Sequence, residues 1–174
     1  MKQFFAATVF ICFVSCAPTY VTYDFDKATD FSNYKTYQYF ADMDTGMNEL
    51  DTKRLLDAMD KKMAAQGFAI SETPDFLVDI KTNEFRDPQR ETVGVGLGGG
   101  GGNVGGGISI GLPIGQPSMT RQISFDFVDA HKNRLFWQAK SESAFSPKDT
   151  PLKKEERFTA IVEKVFKKFP PKQK

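Results

Sequence analysis

Two cysteines, one histidine and one tryptophan are all that this chain of 174 residues holds of those three types. With only His131, there is no second imidazole to complete a tetrahedral zinc site. Both cysteines, Cys12 and Cys16, lie near the start, so a mature chain beginning at Cys16 can close no internal disulfide, even where the compartment permits one. A packed core has to hold it. Charge of one sign is lacking as well: 23 Lys+Arg against 22 Asp+Glu leave a net charge of +1, without the basic excess of a nucleic-acid binder. Lys164, Lys167, Lys168, Lys172 and Lys174 do cluster, and read as cations favourably placed at a helix end. No apolar run reaches the ~20 residues needed to cross a bilayer as a helix. The letters G-x-S-x-G do occur, at Gly107-Ile108-Ser109-Ile110-Gly111, but not as a nucleophile elbow. Ser109 and Ser118 lack a strand-to-helix context, so a Ser-His-Asp system using His131 is not expected.

Two acidic groupings are equally unpromising. Asp42, Asp44 and Asn48 approach a calcium loop, but Met47 stands where its glycine belongs and Lys53 where a bidentate Glu is required. Asp24 and Asp26 share one face of a strand about 7 Å apart, where carboxylates are normally solvated. The reading is of no catalytic residue, no metal and no cofactor.

What is present begins with a leader. Lys2 precedes the apolar run Phe4 to Val14, and the small residues Ser15, Cys16 and Ala17 follow; this is the length and order of a secretory signal. Val14-Ser15-Cys16 resembles a bacterial lipobox, although Phe13 stands where an aliphatic residue is usual. The organisation expected is therefore a signal peptide over 1–15, a lipidated N-terminus and tether over 16–19 with lipid on Cys16, and a single domain over 20–174. The linker Ala17-Pro18-Thr19 spans only ~10 Å at full extension.

Within the domain, hydrophobic period sets the elements. Val21, Tyr23 and Phe25 alternate as a half-buried strand, and Tyr34 to Phe40 reads as a second. Asn48 caps a helix whose Leu55, Leu56, Met59 and Met63 share a face, and Gly67 closes it with Phe68 folding back. A short strand over Phe68 to Ile70 precedes a longer one with Phe76, Val78, Ile80 and Thr82 on one face. Ile123, Phe125 and Phe127, then Leu135, Trp137 and Ala139, give the inward faces of an antiparallel hairpin turning over Asp129 to Asn133. Thr150-Pro151 starts a last helix with Phe158, Ile161, Val162, Val165, Phe166 and Phe169 on its stripe, and Pro170-Pro171 ends it. This order predicts an α+β fold: a mostly antiparallel sheet with two helices packed on one face, plus a glycine-rich hairpin or loop.

That glycine-rich segment is local, since 12 of the 14 glycines lie from Gly94 to Gly115. Gly96-x-Gly98-x-x-Gly101 matches a dinucleotide fingerprint by letter, but no helix opens at its last glycine. Two readings stay open for Val93 to Gly115. One is a hairpin or loop without a partner; the other is a contact hairpin whose alternating Val, Leu and Ile flanks meet protein or membrane.

The order of these features carries a resemblance. Tyr23-Asp24-Phe25, Tyr34-Lys35-Thr36-Tyr37, Gly67-Phe68, Pro74-Asp75-Phe76-Leu77-Val78, the glycine-rich segment and Phe136-Trp137, after a leader ending at Cys16, resemble the domain-of-unknown-function 4136 family of bacterial lipoproteins. The resemblance implies an α+β envelope domain and supplies no catalytic residues. The expectation is a membrane-anchored envelope lipoprotein at the outer membrane, held through its N-terminal lipid. It would act as a non-catalytic interaction or structural module with an envelope protein partner; the alternative is a small-ligand-binding or enzymatic domain.

Overall fold

The computed structural model describes residues 18–86 and 119–171. The leader, Cys16 and the segment Val93 to Gly115 lie outside the described residues. Ten elements follow in order: β1 (Tyr20–Phe25), a 3-10 turn (Phe31–Asn33), β2 (Thr36–Tyr39), α1 (Glu49–Ala65), β3 (Ala69–Ile70), β4 (Phe76–Arg86), β5 (Met119–Asp129), β6 (Arg134–Phe145), α2 (Pro151–Val165) and a 3-10 turn (Phe166–Lys168). Among the described residues no helix is long and apolar enough to cross a membrane.

The strands form one six-stranded sheet in the order β1-β6-β5-β4-β2-β3. Pairings β1–β6, β6–β5 and β5–β4 are antiparallel, which fits the expected mostly antiparallel sheet and, at β5–β6, the expected hairpin. The sheet is nevertheless mixed, because β2 runs parallel to both β4 and β3. The cause is the crossover through α1. A helix of 17 residues carries the chain the length of the sheet, so β3 and β4 start at the same end as β2 and run the same way.

Both helices start on the signals in the sequence and α1 stops on its own signal, whereas α2 gives way at Val165 to the 3-10 turn before Pro170-Pro171 is reached. Asn48 accepts from Asp51 N–H at the start of α1, and Thr150 from Lys153 N–H at the start of α2, with Pro151 where a missing N–H costs nothing. At the end of α1, Gly67 takes φ +89°. Its N–H donates to the Ala64 carbonyl and that of Phe68 to Met63, the paired bonds of a Schellman close.

α1 and α2 cover one face of the sheet. Leu55, Met59 and Met63 from α1, and Phe158, Ile161, Val162, Val165 and Phe166 from the C-terminal segment, are buried against Phe76, Val78, Ile80, Ile123, Phe125, Phe127 and Trp137. Asp60 of α1 adds a polar clamp, accepting from Tyr37 Oη at 2.8 Å and Tyr39 Oη at 2.6 Å.

One expected face is corrected. Leu135 does not point inward; it is 42% exposed, while Phe136 and Trp137 are both buried. A β-bulge at Phe127/Val128 sets Phe127 opposite Trp137 but Val128 opposite Leu135, so Phe136 is the extra residue. Two adjacent aromatic side chains thereby reach the same side, which strict alternation forbids.

The face away from the helices carries ordered rows of charge. Register places Asp79, Asp126, Gln138 and Asp24 side by side across four strands, with Lys81, Ser124, Lys140 and Thr22 in a second row two residues away.

Candidate functional site

The two ends of the sheet differ. The near end holds the start of β1 at Tyr20, the end of β4 at Arg86, the start of β5 at Met119 and the end of β6 at Phe145. The far end holds the β5–β6 turn, the 3-10 turn after β1 and the start of β4.

The near end is closed by a buried ion cluster. Arg121 lies on the inward face of β5, its Nη2 2.7 Å from Glu84 Oε1 and 3.6 Å from Asp51 Oδ2. Arg54 reaches Asp51 at 2.8 Å and Lys154 reaches it at 3.5 Å. The Arg121 guanidinium also lies 3.6 Å from the Phe145 ring centroid, a cation–π contact. Burial pushes the Asp51 carboxyl up, but the Asn48 hydrogen bond and the charges of Lys154 and Arg121 hold it below the usual carboxylate range. Every charge here meets an opposite one, so the cluster ties α1, α2 and the sheet together.

The far end opens into a cleft of about 280 Å³ lined by residues of the β1–β2 connection and the β5–β6 turn, with Asp75 beside them. Its floor is aromatic: Tyr34 and Phe136 stack with ring centroids 4.2 Å apart. Its walls are polar, and their carboxylates are engaged unequally. Asp129 Oδ2 accepts from Tyr34 Oη at 2.7 Å, and Oδ1 accepts from the N–H groups of His131 and Lys132 at 2.9 and 2.8 Å. Burial pushes the Asp129 carboxyl up, yet those bonds hold it below its ordinary range. Burial and the Asp129 bond raise the Tyr34 hydroxyl well above the ordinary tyrosine value. Asp75 accepts through Oδ2 from Lys35 N–H, Thr36 N–H and Thr36 Oγ1 at 2.8, 2.8 and 2.9 Å.

The cations of the cleft are held loosely. Lys132 Nζ lies 3.7 Å from Asp129 Oδ2 with its side chain 69% exposed, and Arg134 Nη2 lies 3.4 Å from Asp26 Oδ2 at 64%. His131, read from sequence as a plain turn residue, is exposed at the cleft rim. Sequence reasoning missed this gathering because Tyr34 and Asp129 are 95 positions apart.

The remaining candidates do not line it. Asp24 lies on the outer sheet face and Asp26 pairs with Arg134. Asp44 Oδ1 accepts from Gly46 N–H at 2.9 Å, a local turn bond. Among the described residues no three His, Cys, Asp or Glu gather as metal ligands would.

A mixed six-stranded sheet covered on one face by two helices, with a polar cleft at one end, defines a two-layer α+β domain. The chain belongs to the family described as Domain of unknown function (DUF4136), which it matches over residues 21–171. Comparison with the curated proteins finds no match. Among solved structures, a PDZ domain protein from Parabacteroides distasonis matches with TM-score 0.57 at 15% identity over 91% of this chain, which spans only 36% of that one. The PelC dodecamer from Paraburkholderia phytofirmans matches with TM-score 0.51 at 10% identity, covering 86% of this chain and 95% of that one. At these identities the likeness is one of fold.

Proposed function

We propose that this protein is a lipid-anchored module of the bacterial envelope, held through Cys16 at the outer membrane, that works by binding an envelope partner and not by catalysis. The observation that carries this reading is the common exit of two segments. Tyr20 pairs with Glu142 and Arg86 with Met119, so the chain coming from Cys16 and both ends of residues 87–118 meet the domain at its near end. A glycine-rich contact segment then starts and finishes on the side where the anchor holds the domain. Thr19 is already buried and its carbonyl accepts from Lys164 Nζ, which keeps the tether short. The far end is the length of β5 away, eleven residues or about 35 Å by strand rise. A further support is that a chain of similar fold, PelC, forms a dodecamer, an example of this architecture used for association.

Fractionation of cells expressing the wild type and Cys16→Ala tests the anchor. Loss of the variant from the membrane fraction, with loss of the lipid mass on the mature N-terminus, is expected; equal retention refutes it. Stable attachment takes at least two acyl chains, so partial loss would mean a second membrane contact. Replacing Leu97 to Ile110 by an Asn-Gly turn tests the contact segment: in-cell crosslinked partners should disappear while the melting temperature stays.

A further inference from the structure

We propose that the far-end cleft binds a small zwitterionic ligand, one carrying an ammonium group and a carboxylate within a few bonds of each other, as an amino acid or a short peptide does. The inference stands on the cleft and does not depend on the lipid anchor.

Size comes first. A cleft of about 280 Å³ lies at the small end of the roughly 300–1,000 Å³ typical of ligand sites, which suits an amino acid or dipeptide. Charge comes next. Asp129 spends both oxygens on Tyr34, His131 and Lys132, so it shapes the turn and offers a ligand little. Asp75, which also lines the cleft, differs: all three bonds it accepts fall on Oδ2 and none on Oδ1. Burial pushes its carboxyl up, but the bonds from Lys35 and Thr36 and the nearby His131 hold it below the usual range, so it is anionic at neutral pH. Asp30 lies in the same lining, with its Oδ1 bonded to Ser32. An ammonium group is the partner these carboxylates fit.

Opposite charge is supplied by the β5–β6 turn. His131, Lys132 and Arg134 all line the cleft, and the latter two are largely exposed and only loosely paired. Their donors are free to swing onto a carboxylate, with Arg134 able to grip both oxygens. The Tyr34–Phe136 stack in the same lining offers an apolar surface for the carbons of the ligand. The bulge puts Phe136 there, as bulges beside binding sites commonly re-aim a side chain.

His131 is the chain's single histidine, so its imidazole proton signals are unambiguous reporters in the full chain. Titrating glycylglycine while following those signals should give a saturable chemical-shift change as the ligand arrives beside the ring. Acetate and methylammonium, each offering one pole, should bind at least about tenfold more weakly. Lys132→Glu and Arg134→Gln alter exposed side chains that the fold does not need, and each should weaken glycylglycine by about tenfold with the melting temperature unchanged. Asp75→Asn, checked by its melt, should abolish the preference for glycylglycine over acetate. No saturable shift with glycylglycine overturns the proposal, as does acetate binding equally well or insensitivity to both turn variants.

Discussion

Replacing Phe166 by alanine tests whether the C-terminal segment is the second layer of the core. The ring is fully buried and its centroid lies 5.8 Å from that of Phe125, 5.9 Å from Phe127, 5.7 Å from Trp137 and 6.0 Å from Phe169. Truncating a buried Phe costs about 3–5 kcal/mol, as lost transfer energy plus the cavity left behind. Four rigid rings cannot flow into that space, and aromatic pairs contribute about 0.5–1.5 kcal/mol each beyond burial, so the upper part of the range is expected. For a domain of this size, 4–5 kcal/mol lowers the melting temperature by roughly 10–20 °C. Circular dichroism melts and urea titrations with a common slope measure it. Leu152→Ala on α2, where the side chain is 67% exposed, is the control and should change stability by less than about 0.5 kcal/mol. A Phe166→Ala shift of only a degree or two would refute the two-layer core.

Asp51→Asn removes the central carboxylate of the near-end cluster and leaves Arg54 and Lys154 facing a neutral group while Arg121 keeps Glu84, which should cost about 1–3 kcal/mol at neutral pH. Because the folded state lowers the Asp51 pKa, its contribution is present above the ordinary carboxylate range and is lost as pH falls below about 4. The urea midpoint of the variant should therefore fall less steeply on acidification than that of the wild type. Asp126 carries the opposite sign: burial and the facing Asp79 raise its pKa, so ionising it costs stability as pH rises through the carboxylate range. Asp126→Asn should stabilise the neutral protein by about 0.2–1 kcal/mol, read from the same titrations. At Gly67 a Cβ would meet nothing within 4 Å, so Gly67→Ala isolates backbone strain at φ +89° and should cost about 1–2 kcal/mol in a thermal melt.

Local chemistry carried most of the fold from sequence alone. Asn48, Gly67 and Thr150-Pro151 bound the helices by their own backbone requirements, and the inward rows of β4 and β5 follow from a period of two. What the sequence did not show depended on distant parts of the chain. The parallel placement of β2 is decided by where α1 delivers the chain, and the bulge at Phe127/Val128 breaks the alternation that put Leu135 inside. The near-end cluster did leave a trace: Arg121 occupies an inward position in register with Ile123, Phe125 and Phe127, and a cation there demands a buried carboxylate. The far-end cleft left none, since it needs Tyr34, Asp75 and Asp129 brought together from three separate elements.

The pairing of β1 with β6 has a mechanical consequence. The chain enters at Tyr20 on the near end, and six residues of β1 run antiparallel beside β6 toward the far end. A pull between the N-terminus and anything seated at the far end acts along the strands. It strains the β1–β6 ladder in shear, so its hydrogen bonds share the load and must fail together. A pull between Tyr20 and its neighbour Glu142 would instead peel the same ladder open one rung at a time. Load applied to the first strand along its own axis is thus resisted more strongly than load applied across it.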